Sequence, residues 1–468
     1  MKKYVAAIDL GTTHTVVAIG EKSIQGVKIV ALSEVPSKGM KRGRIENPQL
    51  ASQSIKSAIE MIRENYHLNI EKAFIGIAGQ DIKCISTEPC QVQRADAEEI
   101  ITFEEVSNIT KSMYRDFDDG TTVLCAIPQS YNVDTNMSVS QAVGMIGKNI
   151  VSRFKLVIGK KAFNTITNST MKLANIKCAG FIIEPIASAM AVLTDEEKEA
   201  GVVLVDIGGG TTDVIVIQNH IIRYIGIIPF GGDSITKDIC MGCNISNKQS
   251  ESLKINYGNS FSDYADPNKM LYVKPYSGTT ADKEIPVKTL SKIIQARMEE
   301  ILDAVNYHVE QSGFAKQILA GYVFTGGGSQ IKSLINLTNY MTGKDARCVA
   351  PNENTILESS VEEARRFNSS TVVGMIIKGI EMIEEENGSY DFVSEYYPTK
   401  EVEQVHVEEN VLPWETVTVD DTEATTSKRA ERKKRGEKRD SSIKKLSGFI
   451  KGFSLFGDSF DNPENTKI

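Results

Sequence analysis

Nowhere does this chain of 468 residues hold the roughly 18 uninterrupted apolar residues that a membrane-spanning helix needs. The richest stretch, 202–217, is broken by Asp206, by Gly208, Gly209 and Gly210, and by Asp213. After Met1-Lys2-Lys3 the apolar stretch 5–8 falls short of the roughly 7–15 residues at the core of a signal peptide. Cysteine is sparse, with seven residues, odd in number and scattered. That excludes a disulfide framework and suits the reduced thiols of a cytosol. Cys240 and Cys243 form one C-x-x-C without a second pair or a nearby His, so zinc is not indicated. Positive charge is short of negative, 53 Lys and Arg against 61 Asp and Glu, for a net charge of −8. A broadly basic, nucleic-acid-binding surface is therefore not expected. The hydrophobic fraction of 41% is enough to build large cores, and the length allows two to four domains at roughly 150 residues each.

Up to about residue 387, short β-branched runs alternate with helical patterns, which predicts an α/β fold. Strands are expected at 4–8, 15–20, 73–78, 123–127, 202–205, 214–218 and 321–324. Helices are expected at 49–65, 162–174, 185–192, 288–311 and 331–341. From 395 to 423 acidic residues dominate and apolar periodicity ends, as in a solvated linker. From 428 to 439 the charge turns basic. Residues 441–456 then combine basic and apolar side chains.

An internal repeat organises the folded part. Asp9-Leu10-Gly11-Thr12-Thr13 recurs as Asp206-Ile207-Gly208-Gly209-Gly210-Thr211-Thr212-Asp213, read here as the same tip with two extra glycines. Each copy follows one apolar strand and precedes another, so both are expected to be β-hairpins from two similar halves that face one another. Glycine lets consecutive N–H groups point into one concavity and lets an anion approach closely, and threonine hydroxyls add donors. An aspartate before such a tip is matched by hydrated Mg²⁺, which keeps several waters and uses few carboxylates. Two unliganded hairpin turns are the alternative. A third cluster, Gly326-Gly327-Gly328-Ser329, follows a strand and is expected to open the helix at Ile331, where backbone N–H groups favour anions.

Together with Glu184-Pro185-Ile186-Ala187-Ser188-Ala189 and Gly374-Met-Ile-Ile-Lys-Gly379, these segments resemble, in order, the five motifs of the actin/DnaK/sugar-kinase ATPase superfamily. The resemblance implies a two-lobed ATPase fold with ATP between the lobes. Phosphates would lie on Gly11, Thr12, Thr13 and on Gly208, Gly209, Gly210, Thr211, Thr212. Mg²⁺ would lie near Asp9 and Asp206, and the nucleoside beside Gly326, Gly327, Gly328 and Ser329. Glu251 and Lys254, one turn apart, resemble the pair that reaches ribose and adenine. Glu184 matches the acidic residue that polarises the attacking water in chaperone relatives, and Asp206 would share the catalytic role; capping the helix at Pro185 is the other role open to Glu184. Val16 stands near the place where actins carry a phosphate-contacting Lys.

Further segments resemble the FtsA family of bacterial cell-division proteins: Gly39-Met-Lys-Arg-Gly-Arg-Ile45, Gly76-Ile-Ala-Gly79, Ile127-Pro-Gln-Ser-Tyr-Asn-Val-Asp134, Pro229-Phe-Gly-Gly-Asp-Ser-Ile-Thr236 and Leu253-Lys-Ile-Asn-Tyr-Gly258. Asp81 departs from the His of many relatives. The implied organisation is the first part of the lobe 1 nucleotide-binding subdomain at 1–83, an inserted subdomain at 84–159 and the return of lobe 1 at 160–183. Lobe 2 would have its core at 184–230 and its outer subdomain at 231–304, with 305–387 completing that core and returning to lobe 1. A disordered acidic-then-basic linker would occupy 388–440, an amphipathic membrane-targeting helix 441–457 and a polar tail 458–468. In the family an Arg at the place of Arg297 receives the acidic C-terminal peptide of the tubulin homologue FtsZ; Lys292 and Arg297 are equally readable as a solvated helix face.

In the tail, Ile443, Leu446, Phe449, Ile450, Phe453 and Phe456 sit at helical spacing with Lys444, Lys445 and Lys451 away from them. Buried phenylalanines and lysines near anionic lipid suit a membrane interface; docking on the protein's own core, a partner groove or nucleic acid are the alternatives. The resemblance implies an ATP-binding, self-assembling adaptor that holds FtsZ polymers to the cytoplasmic face of the inner membrane at the division site and recruits later division proteins. Weak ATPase activity is left open. The rivals are a sugar or acetate kinase of the same superfamily, a chaperone ATPase, and the pilus-assembly relative of FtsA.

Overall fold

The computed structural model describes residues 2–134, 138–274, 282–351 and 355–396. The expected membrane-targeting helix with its residues 443–456, the polar tail and most of the expected linker lie outside the described residues.

Two five-stranded sheets share one topology. In the first, Lys177–Ile183, Lys72–Ile77 and Lys3–Leu10 run parallel, and His14–Ser23 and Gly26–Pro36 continue from the last as an antiparallel meander. In the second, Ala346–Cys348, Tyr322–Thr325 and Val202–Ile207 are the parallel strands, and Thr212–Gln218 and Ile221–Ile228 the meander. The repeat read from sequence is thus a duplication of a whole sheet. Strand Val202–Ile207 is apolar at almost every position because both of its faces are covered. Alternate residues point to opposite faces, so Val203 and Val205 join one core while Val202 and Leu204 join the other.

Helices join the sheets by crossing over. Glu184–Val192 leaves the last parallel strand of the first sheet and packs on the second, whereas Ser370–Glu385 follows the second sheet and packs on the first. The two helices touch at their backbones: a Cβ on Gly374 would lie 1.8 Å from the Ala187 carbonyl oxygen. Gly379, one and a half turns on, leaves room for the Phe74 ring in the same way. That is the physical content of the Gly374 to Gly379 motif.

The chain leaves the first sheet after Lys72–Ile77 to form a separate sheet. Its long strands Thr121–Val133 and Asn149–Lys160 pair antiparallel, and Lys83–Ser86 and Cys90–Gln93 both pair with the second of them. Helix Phe103–Ser112 covers this sheet over a core of Ile101, Val133, Phe154 and Leu156. The inserted sheet also reaches the second lobe, where Gln129 Nε2 donates to the Ile222 carbonyl at 2.8 Å.

Two expectations are corrected. The helix after the third glycine cluster begins at Leu334, not Ile331, because Ile331 is extended and Ser333 is left-handed, with a 3-10 turn at Gly327–Gln330 in front. The boundary expected at 388 also falls too early. Phe392 is buried and stacks on Phe74 with ring centroids 5.3 Å apart, and Val393–Glu395 adds a strand beside Leu68–Ile70. The sequence hides this because one buried ring and a three-residue edge strand leave no periodic signature. Phe392→Ala should therefore cost about 3–5 kcal/mol in urea unfolding; a loss under about 1 kcal/mol would show that this segment is not part of the core.

Candidate functional site

The two repeat hairpins meet tip to tip between the sheets. In the first, Asp9 pairs with Val16 and Leu10 with Thr15; in the second, Asp206 pairs with Asp213 and Ile207 with Thr212. The tips are therefore equal in length, which corrects the reading of two extra glycines. Gly209 and Gly210 stand in register where the first tip has Thr12 and Thr13. The reason lies across the gap. A Cβ on Gly209 would come within 2.5 Å of the Thr13 side chain, and one on Gly210 within 2.3 Å of Thr12 Oγ1. Each threonine of one tip occupies the space that a side chain on the other would need.

Around the tips lies a cleft of about 740 Å³. Of the residues singled out from sequence, Asp9, Gly11, Thr12, Thr13, Glu184, Asp206, Gly208, Gly209, Gly210, Thr211, Glu251, Lys254, Gly326, Gly327 and Gly328 line it. Two expected residues do not. Thr212 is fully buried and its hydroxyl donates to the Phe230 carbonyl at 3.0 Å, so it fastens the strand that follows the tip. Ser329 is buried in the 3-10 turn and donates to the Gly326 carbonyl at 2.7 Å. Both point away because strand alternation and the turn direct them inward, which composition does not reveal.

Gly326 adopts a φ of +84°, and a Cβ there would sit 2.2 Å from Asp206 Oδ1. The third glycine cluster thus presses its backbone onto the second aspartate. The other oxygen of Asp206 accepts from Ser188 Oγ at 2.7 Å and from Thr371 Oγ1 at 3.1 Å. These hydroxyls come from the two crossing helices, so the crossing point and Asp206 are held together. Lys254 pairs with Glu251 at 2.8 Å and donates to the Gly232 carbonyl at 3.0 Å and Thr236 Oγ1 at 2.8 Å. It ties helix Asn247–Tyr257 to the start of helix Gly232–Cys243 on the cleft wall.

Four carboxylates converge here: Asp9, Glu184, Asp206 and Asp213. Asp213 is the one that sequence reasoning missed, although it closes the second copy of the repeat; only the strand register shows that it stands opposite Asp206. Its Oδ1 is buried without a hydrogen-bond partner. Burial, then Asp206 and Glu34, push Asp9 up to about 7. Burial and the neighbouring carboxylates raise Glu184 and Asp213 well above the usual carboxylate range. Burial also raises Asp206, against the opposing hydrogen bonds of Ser188 and Thr371. Like charges opposed on adjacent strands destabilise a fold, and Lys254 is already committed to Glu251. Such a set calls for a cation. Among the described residues no three acidic, His or Cys side chains gather closely enough to hold a metal directly. The donor set therefore fits an ion that keeps its waters, as Mg²⁺ does. Glu184 is the first residue of its helix and Ile183 holds the capping position, so Glu184 does not stand where a cap would.

Lys292 and Arg297 lie on helix Val287–Ser312, off the cleft. Lys292 is exposed. Arg297 is held by Asp238 through Nε at 2.6 Å and Nη2 at 3.1 Å, and by Glu300 at 2.5 Å.

The raised carboxylates set the sign of a pH effect. The folded protein keeps a proton on Asp9 up to about pH 7, whereas the unfolded chain releases it near the ordinary value of 3.8. Stability should therefore fall as pH rises through that window. Ligand-free protein should melt higher at pH 5 than at pH 8, and Asp213→Asn should raise the pH 8 melting temperature by about 2–4 °C in calorimetry. Equal melting at both pH values would show that the carboxylates do not oppose one another.

Comparison with known proteins agrees with this geometry. A family model described as cell division protein FtsA matches residues 203–374, and one described as the SHS2 domain inserted in FtsA matches 79–158. The cell division protein FtsA of Neisseria meningitidis serogroup B is 30% identical over 383 residues, covering 80% of this chain and 90% of that protein. Among solved structures, the PilM–PilN type IV pilus biogenesis complex aligns with a TM-score of 0.57 at 14% identity, covering 80% of this chain and 98% of that one. MreB5 of Spiroplasma citri bound to ADP aligns with a TM-score of 0.50 at 14% identity, covering 82% and 99%. The fold is the actin-like ATPase fold with the FtsA-type inserted domain, and the chain belongs to the FtsA family of cell-division proteins.

Proposed function

We propose that this chain binds ATP with Mg²⁺ between its lobes and acts as an adaptor that holds FtsZ polymers at the cytoplasmic face of the membrane. The observation that carries the nucleotide reading is the pair of glycine–threonine tips facing each other over Asp9, Asp206, Asp213 and Glu184. Phosphate oxygens would accept from the N–H groups of the tips and from the hydroxyls of Thr12, Thr13 and Thr211. Asp9, Asp206 and Asp213 would hold the waters of the ion, which in turn neutralises the phosphates. Glu251, Lys254 and Gly326, Gly327 and Gly328 would border the nucleoside. Glu184, on the cleft wall, would orient an attacking water. The ADP in the related MreB5 structure supports the same reading of a shared fold.

The adaptor reading draws on family membership and on the tail. Ile443, Leu446, Phe449, Ile450, Phe453 and Phe456 would enter the lipid interface beside Lys444, Lys445 and Lys451. The acidic FtsZ peptide would meet Lys292 first, because it has to displace Asp238 and Glu300 to engage Arg297. Actin-like self-assembly and recruitment of later division proteins complete the role.

Gly210→Val would drive a side chain into Thr12, so affinity for ATP with Mg²⁺ should fall by at least about tenfold in calorimetric titration; retained affinity would mean that the tips are only turns. In a pelleting assay with anionic vesicles, the full chain should carry FtsZ polymers down, and a chain lacking 441–468 should leave them in solution. Co-sedimentation undiminished by the deletion would reject the anchor.

A further inference from the structure

The segment 39–45, singled out by its glycine spacing, has no place on the cleft wall. It forms a minimal hairpin, Met40–Lys41 against Arg44–Ile45, and Gly39, Arg42 and Gly43 all take left-handed conformations, with φ of 70°, 49° and 70°. The N–H groups of Glu46 and Asn47 both donate to the Gly39 carbonyl, which seats the hairpin on the start of helix Pro48–Tyr66.

From this seat the hairpin touches two sites. Towards the cleft, Gly43 N–H donates to Thr12 Oγ1 at 2.9 Å. A hydroxyl has one proton, so a Thr12 oxygen that accepts from Gly43 keeps its own proton for an acceptor in the cleft. Away from the cleft, Gly43 lies backbone to backbone against Gly79: a Cβ on Gly43 would be 3.2 Å from Gly79 Cα and 3.3 Å from the Ala78 carbonyl. Beside this contact Arg44 Nη1 pairs with Asp81 Oδ2 at 2.9 Å. Ala78, Gly79 and Asp81 are where the chain leaves the first sheet for the inserted domain. Arg44 shares a narrow crevice with them and with Gly159 and Lys160, where the chain comes back. Both strands of the inserted domain's root therefore meet at one hairpin, and that hairpin holds the hydroxyl of a phosphate-side threonine.

We propose that Gly43 and Arg44 are positioning residues that relay occupancy of the cleft at Thr12 to the two-stranded root of the inserted domain. The proposal rests on the nucleotide reading above. An acceptor to which the Thr12 hydroxyl donates a hydrogen bond draws the tip and its Gly43 partner towards the cleft. Between Gly43 and Gly79 there is no flexible side chain to absorb the shift, because main chain faces main chain with too little room for even a methyl group on either glycine. Packed elements of this kind move as units and do not deform gradually. The Arg44–Asp81 pair then carries the motion to the root. It is half-exposed, so it adds little to stability, and its removal should be nearly silent in melting and in ligand affinity. Asp81, which stands where many relatives have His, thereby acquires a task.

Amide hydrogen exchange on the full chain, with and without ATP and Mg²⁺, tests the relay at strands Lys83–Ser86 and Asn149–Lys160. In the wild type, protection at these root strands should change on binding. In Arg44→Asp the change should disappear while affinity stays within about fivefold of wild type, the range of an exposed ion pair. The swap Arg44→Asp with Asp81→Arg should restore it. The relay is overturned if the wild type binds ATP and the root strands do not respond, or if Arg44→Asp responds as the wild type does. Failure of the wild type to bind ATP with Mg²⁺ at all would instead remove the nucleotide reading, and the relay with it.

Discussion

Asp206 and Asp213 stand opposite one another on adjacent strands, with Asp9 brought against them from the other lobe and Glu184 from the start of the helix that crosses between the sheets. In the absence of a cation this arrangement costs free energy, since buried like charges raise one another's affinity for protons. The rest of the fold is arranged to hold it. Two copies of one sheet face each other so that their hairpin tips interlock, threonine against glycine. Two helices cross at Gly374 and Ala187 and lend Ser188 and Thr371 to a single oxygen of Asp206. The third glycine cluster closes on the other oxygen. A cation bound there would relieve that cost, and a ligand shifts an equilibrium only by its differential affinity for the two states.

The same arrangement sets the division of labour among the elements. The cleft belongs to the repeated sheets, and the inserted sheet with its own core around Phe154 is appended to one of them. A domain that is carried by two strands and braced on the second lobe through Gln129 is placed to register the relative position of the lobes. The hairpin at 39–45 stands where these two systems adjoin.

Much of this was legible in the residues. Short β-branched runs marked six of the ten strands of the two sheets, and the recurrence of Asp-x-Gly marked the duplication; Gly26–Pro36, Lys177–Ile183, Ile221–Ile228 and Ala346–Cys348 went unmarked. The glycines admit close contacts: Gly209 with the Thr13 side chain, Gly326 with the Asp206 carboxylate, Gly374 with the Ala187 backbone. What stayed hidden depended on register and on distant partners. Matching Thr12 and Thr13 to Thr211 and Thr212 by identity placed the wrong residues in correspondence, because the ladder pairs by position. Thr212 and Ser329 carry the right chemistry but face inward. Asp213 sat in view at the end of the repeat, yet its role needed the strand opposite. The Phe392 strap escaped notice because its partners, Phe74 and Lys72, are more than three hundred residues away in the chain.

The central claim is that facing tips and converging carboxylates form one metal–nucleotide site. It is met most directly by a crystal structure with ATP and Mn²⁺, in which the anomalous signal locates the ion. A single peak in the cleft, one water layer from Asp9, Asp206 and Asp213 and against the phosphates, is the predicted result. Nucleotide bound with no ion beside these aspartates, or a cleft left empty at saturating ATP, would contradict it.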